Sequence, residues 1–434
     1  VLSREHFFRL NGFKLVYDAL WWLALFPAAF ASTSLQREKL LQRFGCVEPL
    51  SSAEQKKVSI WLHAASVGEV EGAYPIARGI VGDSRRKLLF VTSMTESGCS
   101  AARQRIPQAR VVSLAPLDCA SCVRRFLRRS APRVVLLTET ELWPNYVLQA
   151  RRIDAQIALI NARMSSRSLS RYRLIRSLVG QMLSCVDLLL AQSEQDAQRY
   201  ALLGMPEAKI EVVGNPKYDL QADQPSDNLR PALSEFVRGK RVLVAGSTAP
   251  GEEQVVLEAY KRLRYEVTNL VLVLAPRHLR RTKDVATAVR RAGLEFVRAS
   301  TLDTCPDFKQ APVLILDTMG ELRSLYKWST LAFVGGSLFP GRGGQSLAEP
   351  AAAAVPVMFG PFHESQHPLA QALIEQGAGY VVRDADEIVK VSRLLLQNED
   401  LRQQLGDKAR KTLQSMRGAT QRSLQALSRL SNLG

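Results

Sequence analysis

Short apolar runs recur along almost the whole chain, and each gives way to a stretch of helical periodicity. That alternation constrains the fold more than any other property of the sequence. Strands that read as unbroken apolar runs are buried on both faces, and strands joined by helical crossovers make a parallel sheet covered by helices. Residues 58–64, 87–92, 110–114, 133–138, 155–160 and 186–191 form one such series of predicted strands. Residues 241–245, 269–275, 294–297, 313–316, 331–334, 355–359 and 380–383 form a second. Between them, residues 219–239 mix Pro, Asp and Ser with no sustained period, which reads as an interdomain linker. The chain therefore divides into a helical segment (1–45), a first doubly wound domain (46–218), the linker, a second doubly wound domain (240–400) and closing helices (401–434) expected to pack back on the first domain.

A length of 434 residues suits two such domains, and neither repeats nor low-complexity tracts interrupt them. The 58 Lys and Arg exceed the 41 Asp and Glu, for a formal charge of +17, so the partners should be anionic. Nucleic acid ranks last among them, because no zinc-finger, aromatic ribonucleoprotein or compact basic-helix pattern is present. The six cysteines are scattered, which argues against a disulfide framework, and Cys119 and Cys122 read as ordinary helix residues. Residues 19–31 are apolar and carry paired tryptophans between basic flanks, but a membrane span needs about 20 residues. The run reads either as a helix anchored at, or marginally crossing, a cytoplasmic membrane face, or as a buried hydrophobic helix; it is not read as a cleaved signal.

Three turns in the second half join a strand to a helix through small residues: 245–248, 317–321 and 335–349. Unpaired amides and a helix N-terminus at such turns favour phosphate, and a nucleotide-bearing anion is the expected ligand. Pro276-Arg-His follows another strand, and Arg277 can grip phosphate bidentately. Met319, Gly320 and Glu321 offer contacts at a helix start, and Glu349 could accept from a ribose diol. In the first half, Trp61-Leu-His-Ala-Ala-Ser-Val-Gly-Glu sets Glu69 at a helix mouth, either as a general base or as a complement to the helix dipole. Thr138-Glu-Thr-Glu-Leu-Trp-Pro-Asn carries Glu139 and Glu141, of which one is expected to face the crevice. Lys217, in Gly214-Asn-Pro-Lys-Tyr-Asp, either steadies negative charge or is solvated.

Taken in order, His63-Ala-Ala-Ser-Val-Gly-Glu, Glu139-Thr-Glu-Leu-Trp-Pro-Asn, Gly214-Asn-Pro-Lys-Tyr-Asp, Ala245-Gly-Ser-Thr, Pro276-Arg-His, Asp317-Thr-Met-Gly-Glu-Leu and Phe333-Val-Gly-Gly-Ser-Leu resemble the Kdo (3-deoxy-D-manno-oct-2-ulosonic acid) transferases of lipopolysaccharide synthesis. The resemblance covers nearly the whole chain, including the apolar N-terminus. It implies an α/β GT-B fold, with two Rossmann-like domains facing across a cleft. It also implies an inverting, metal-independent transfer of Kdo from CMP-Kdo to the 6'-hydroxyl of a lipid A precursor, at the cytoplasmic face of an anionic inner membrane. By the same analogy Glu69 is the base, and Glu139 and Lys217 support the transition state. Pro276, Arg277, Met319, Gly320, Glu321 and the turn Ser346, Leu347, Ala348 and Glu349 would hold CMP.

Two blocks depart from the family. Gly343-Gly-Gln-Ser-Leu-Ala-Glu stands where Gly-Gly-His-Asn-Pro-Leu-Glu is common, and Gly360-Pro-Phe-His-Glu-Ser replaces a Gly-Pro-His block. The departures keep two alternatives open: a GT-B transferase or epimerase with another nucleotide sugar, or a membrane-peripheral protein whose sites have decayed. The sequence gives neither the oligomeric state nor the number of sugars added.

Overall fold

A computed structural model describes residues 17, 34–82, 86–220, 229–304, 308–430 and 433. They fall into two compact units: one runs to Asp219 and resumes at Arg417, and the other is Leu220–Met416. In the first unit, β1 (Val58–His63), β2 (Lys87–Ser93), β3 (Val111–Leu114), β4 (Val134–Thr138), β5 (Gln156–Ala162), β6 (Leu188–Ala191) and β7 (Ile210–Val212) form a parallel sheet in the order β3-β2-β1-β4-β5-β6-β7. Successive side chains point to opposite faces. Trp61, Val135, Leu137 and Leu159 enter one core with Phe126 and Tyr146, while Ile60, Leu62, Val134 and Ile160 enter the core on the other face. Both faces are buried, so these strands show no polar alternation in the sequence.

The second unit repeats the plan. Strands β8 (Arg241–Thr248), β9 (Leu270–Pro276), β10 (Phe296–Arg298), β11 (Val313–Ile315), β12 (Leu331–Val334), β13 (Val357–Phe359) and β14 (Gly379–Val381) are all parallel, in the order β10-β11-β9-β8-β12-β13-β14. Chain order reverses between β1 and β4 in one sheet and between β8 and β12 in the other. Ligand crevices open beyond the carboxyl ends of strands at such switch points.

Three features differ from the sequence reading. Strand β7 was not anticipated; it is a three-residue edge strand and too short to show a pattern. Within the segment taken as linker, the helix Pro231–Val237 buries Leu233 and Phe236 in the second unit's core, while residues 221–228 lie outside the described residues. The helix Glu399–Ser415 also belongs to the second unit, and the chain rejoins the first only from Arg417. There the helix Ala419–Leu427 lays Leu424 against Gly79, and the Asp219 carboxylate accepts from the amides of Gly418 and Thr420, each at 2.7 Å.

The apolar run 19–31 lies outside the described residues, and no described helix is long and apolar enough to cross a membrane. The helix that follows it, Ser34–Arg43, is fastened to the first unit by Arg43, which donates to the carbonyls of Met94 (2.5 Å) and Ala115 (3.2 Å).

Candidate active site

At the first switch point β1 leads into the helix Val67–Val81, capped by Ser66, whose side chain accepts from the Glu69 amide. Glu69, at the third helical position, answers with Oε1 accepting from Ser66 Oγ at 3.2 Å. Its other oxygen accepts from the Ala65 amide (2.9 Å) and from Thr138 Oγ1 at the end of β4 (2.6 Å). The carboxyl is thus fixed from both strands of the switch point. Burial pushes its pKa above the ordinary carboxylate value; the Thr138 hydrogen bond opposes this, and the charge of Glu141 adds to it. A carboxylate poised nearer neutrality is better matched to taking a proton. Of the two readings of Glu69, helix complement and base, the first is observed as geometry and leaves room for the second.

Glu139 and Glu141 point to different partners. Glu139 adopts a left-handed backbone (φ 46°), and its carboxylate meets Lys217 Nζ at 3.0 Å and Arg163 at 3.7 Å. Lys217 is therefore ion-paired with Glu139. Glu141 accepts from Trp143 Nε1 (2.6 Å) and faces the buried His63, whose Nε2 stands 3.4 Å away. Burial works to raise the Glu141 carboxyl, but the hydrogen bond and charge of His63, with Trp143, outweigh it and hold the group below its ordinary value. The neighbours Glu69 and Glu141 are thus pushed in opposite directions. Thr138 and Arg163 were not singled out from the sequence, although Thr138 stands directly before Glu139.

In the second unit the turns are less open than the sequence suggests. Glu252, fully buried after β8, accepts from the amides of Ala249, Gly336, Ser337 and Leu338 at 2.7–2.9 Å. The glycine turn after β12, read as a phosphate cradle, has its first amides committed to a carboxylate of the protein itself. Glu253 is likewise buried, accepting from Thr248 Oγ1 (2.7 Å) and pairing with Arg281. Two acidic residues opening a helix were visible in the sequence; the aim of Glu252 at the β12 turn and of Glu253 at Arg281 was not.

Residues 317–321 lead into a helix of only five residues, Leu322–Tyr326, so little dipole accumulates there. Glu321 accepts from Arg230 Nε (3.1 Å) and from Thr318 Oγ1. Met319 is 80% exposed, and Gly320 takes a positive φ of 87°. Pro276 closes β9 in the interior, while Arg277 is exposed, its amide bound to the Thr248 carbonyl at 3.0 Å. Beside it His278 is held below its ordinary pKa by partial burial and by Arg277, Arg280, Arg342 and Arg281. Ser346 is exposed, Leu347 and Ala348 are buried, and Glu349 opens the short helix Ala348–Ala352. Burial raises the Glu349 carboxyl against the pull of Arg323 and Arg277. Arg277, Arg280 and Arg342 form an exposed basic edge around His278.

Residues 38–220 match the family model described as 3-deoxy-D-manno-octulosonic-acid transferase (kdotransferase). The 3-deoxy-D-manno-octulosonic acid transferase of Haemophilus influenzae is 33% identical over 396 residues, 90% of this chain and 91% of that protein. The chain belongs to the Kdo transferase family. The Chlamydia pneumoniae member is 31% identical over 90% of this chain and 89% of its own length. Among solved structures, the UDP-GlcNAc 2-epimerase of Neisseria meningitidis bound to UDP-GlcNAc aligns over 85% of this chain and 99% of its own, with a TM-score of 0.62 and 12% identity. At that identity the likeness concerns the two-domain GT-B fold. As a Kdo transferase, the chain is a glycosyltransferase of lipopolysaccharide synthesis.

Proposed function

We propose that this Kdo transferase moves Kdo from CMP-Kdo to the 6'-hydroxyl of a lipid A precursor, with Glu69 as the base. The observation that carries the reading is the Glu69 carboxyl, held by Thr138 and Ala65 at the β1/β4 switch point and raised toward neutrality. Glu69 takes the proton of the acceptor hydroxyl as its oxygen attacks the anomeric carbon of Kdo. The bond to CMP breaks with inversion, and the electron pair leaves on the phosphate. Lys217, steadied by Glu139, offers positive charge as the transition state develops. Arg277 meets the charge of the departing monophosphate by paired N–H donors, a task that needs no divalent ion. Pro276, Met319, Gly320, Glu321 and the Ser346 to Glu349 turn hold the rest of CMP.

The lipid acceptor suits a second feature of the first unit. The helices Ser166–Leu174 and Arg176–Ser184 meet at Leu174 and Ile175, which are 87% and 45% exposed. Arg167, Arg171, Arg173 and Arg176 are exposed around them. Tyr172 anchors this corner to the Glu139 loop through the Thr140 carbonyl (3.4 Å). An apolar tip in a basic collar fits an anionic inner-membrane surface, and we assign the enzyme to the cytoplasmic face of that membrane.

The test is mass spectrometry of a lipid A precursor after incubation with enzyme and freshly generated CMP-Kdo, with UDP- and ADP-sugars in parallel. Gain of Kdo with CMP-Kdo alone is expected. Glu69→Gln should lower turnover by about 10²–10⁴-fold while CMP binding persists. Near-normal turnover of that variant would remove Glu69 from the role, and transfer from another nucleotide sugar would reassign the donor.

A further inference from the structure

Asn161, the penultimate residue of β5, combines three unusual properties. Its backbone is left-handed (φ 50°), and the β5–β6 register slips between Leu159 and Ala162, so Asn161 sits in an irregularity of the ladder. Its side chain is enclosed, with 1% of the residue exposed. Neither Oδ1 nor Nδ2 has a hydrogen-bond partner among the described residues, although its carbonyl accepts from Gln192 Nε2 at 3.1 Å.

A buried amide left without partners is costly, and natural proteins rarely keep one without a reason. The surroundings supply it. A methyl group on Gly72 would stand 2.6 Å from Asn161 Nδ2 and 3.0 Å from Lys217 Cε. The carboxamide and the lysine stem therefore share the space that this glycine leaves on the helix Val67–Val81, one turn beyond Glu69. On the other side Lys217 Nζ meets Glu139, the second left-handed residue at these strand ends. Strained backbone and unpaired polar groups gather where function over-determines the structure.

We infer that Asn161 is a positioning residue: its carboxamide wedges the stem of Lys217 against Gly72, so that the ammonium is presented at Glu139. The inference rests on the assignment of Lys217 to transition-state support. Asparagine also tolerates a left-handed backbone, so a purely conformational duty must be separated from the one claimed. Asn161→Gly does this, because glycine accepts the same φ at no steric cost and removes only the side chain.

The experiment compares wild type, Asn161→Gly, Lys217→Ala and the double variant for kcat, for KM toward CMP-Kdo, and for thermal unfolding. With Lys217→Ala impaired, the expected result is a fall of about tenfold or more in kcat for Asn161→Gly, with donor KM and cooperative unfolding retained. The double variant should then be no slower than Lys217→Ala alone, because the two side chains act through one group. Unchanged kcat in Asn161→Gly would reduce the residue to its backbone conformation, and multiplying losses in the double variant would show it acting apart from the lysine; either overturns the inference. Full activity of Lys217→Ala would instead sink the assignment on which it rests.

Discussion

Glu69 caps a helix and, in the proposed reaction, takes a proton, and its protonation bears on both. Because its carboxyl titrates higher in the folded enzyme than in the unfolded chain, the native state holds that proton more tightly. The stabilisation is fully present below the unfolded value and is lost as pH rises through the folded one, so above the folded value the ionised carboxylate is a local cost. Glu69→Gln should therefore lower turnover at neutral pH without lowering the thermal midpoint, measured by calorimetry beside the transfer assay. A base that must be ionised also gives kcat/KM an acid limb, placed above the ordinary carboxylate range. Since the charge of Glu141 helps to raise Glu69, Glu141→Gln should move that limb to lower pH, read from pH–rate profiles of the two proteins. Glu69 was legible from the sequence as a carboxylate at a helix mouth. Its hold by Thr138 was not, because that contact joins two strands that become neighbours only when β4 pairs with β1.

Among elements, the strands were the most legible, since a parallel sheet buried on both faces leaves unbroken apolar runs in the chain. The helix Pro231–Val237 was hidden by its opening proline and polar neighbours; only the burial of Leu233 and Phe236 reveals that it belongs to a core. The glycine turn after β12 misled for a different reason. Its amides are donors, as the sequence implied, but the nearest anion is Glu252, which opens the helix after the neighbouring strand. Glu252→Ala would leave four backbone donors without that acceptor and should destabilise the second unit by at least about 3 kcal/mol. Urea unfolding followed by hydrogen exchange at Gly336, Ser337 and Leu338 would locate the loss. A stable variant with protected amides would show that the carboxylate is dispensable.

For the whole molecule, the formal charge of +17 is a general attraction to anionic surfaces, and the Leu174–Ile175 corner is the place we propose for it. Replacing Arg171 and Arg173 with Gln and Leu174 with Ser should reduce turnover severalfold on acceptor embedded in anionic vesicles, and far less on acceptor dispersed in detergent. Equal losses in both assays would mean that the corner serves folding or catalysis and not the lipid surface. The bond from Asp219 to Gly418 and Thr420 has a different reach. The chain leaves the first unit and re-enters it at neighbouring points, so everything from Leu220 to Met416 is an insertion with its two ends stapled together. A brief loop from Asp219 to Gly418 would close the first unit on itself. In evolution or in the laboratory, that second half is a cassette, open to exchange for a relative's without redrawing the sheet that leads to Glu69.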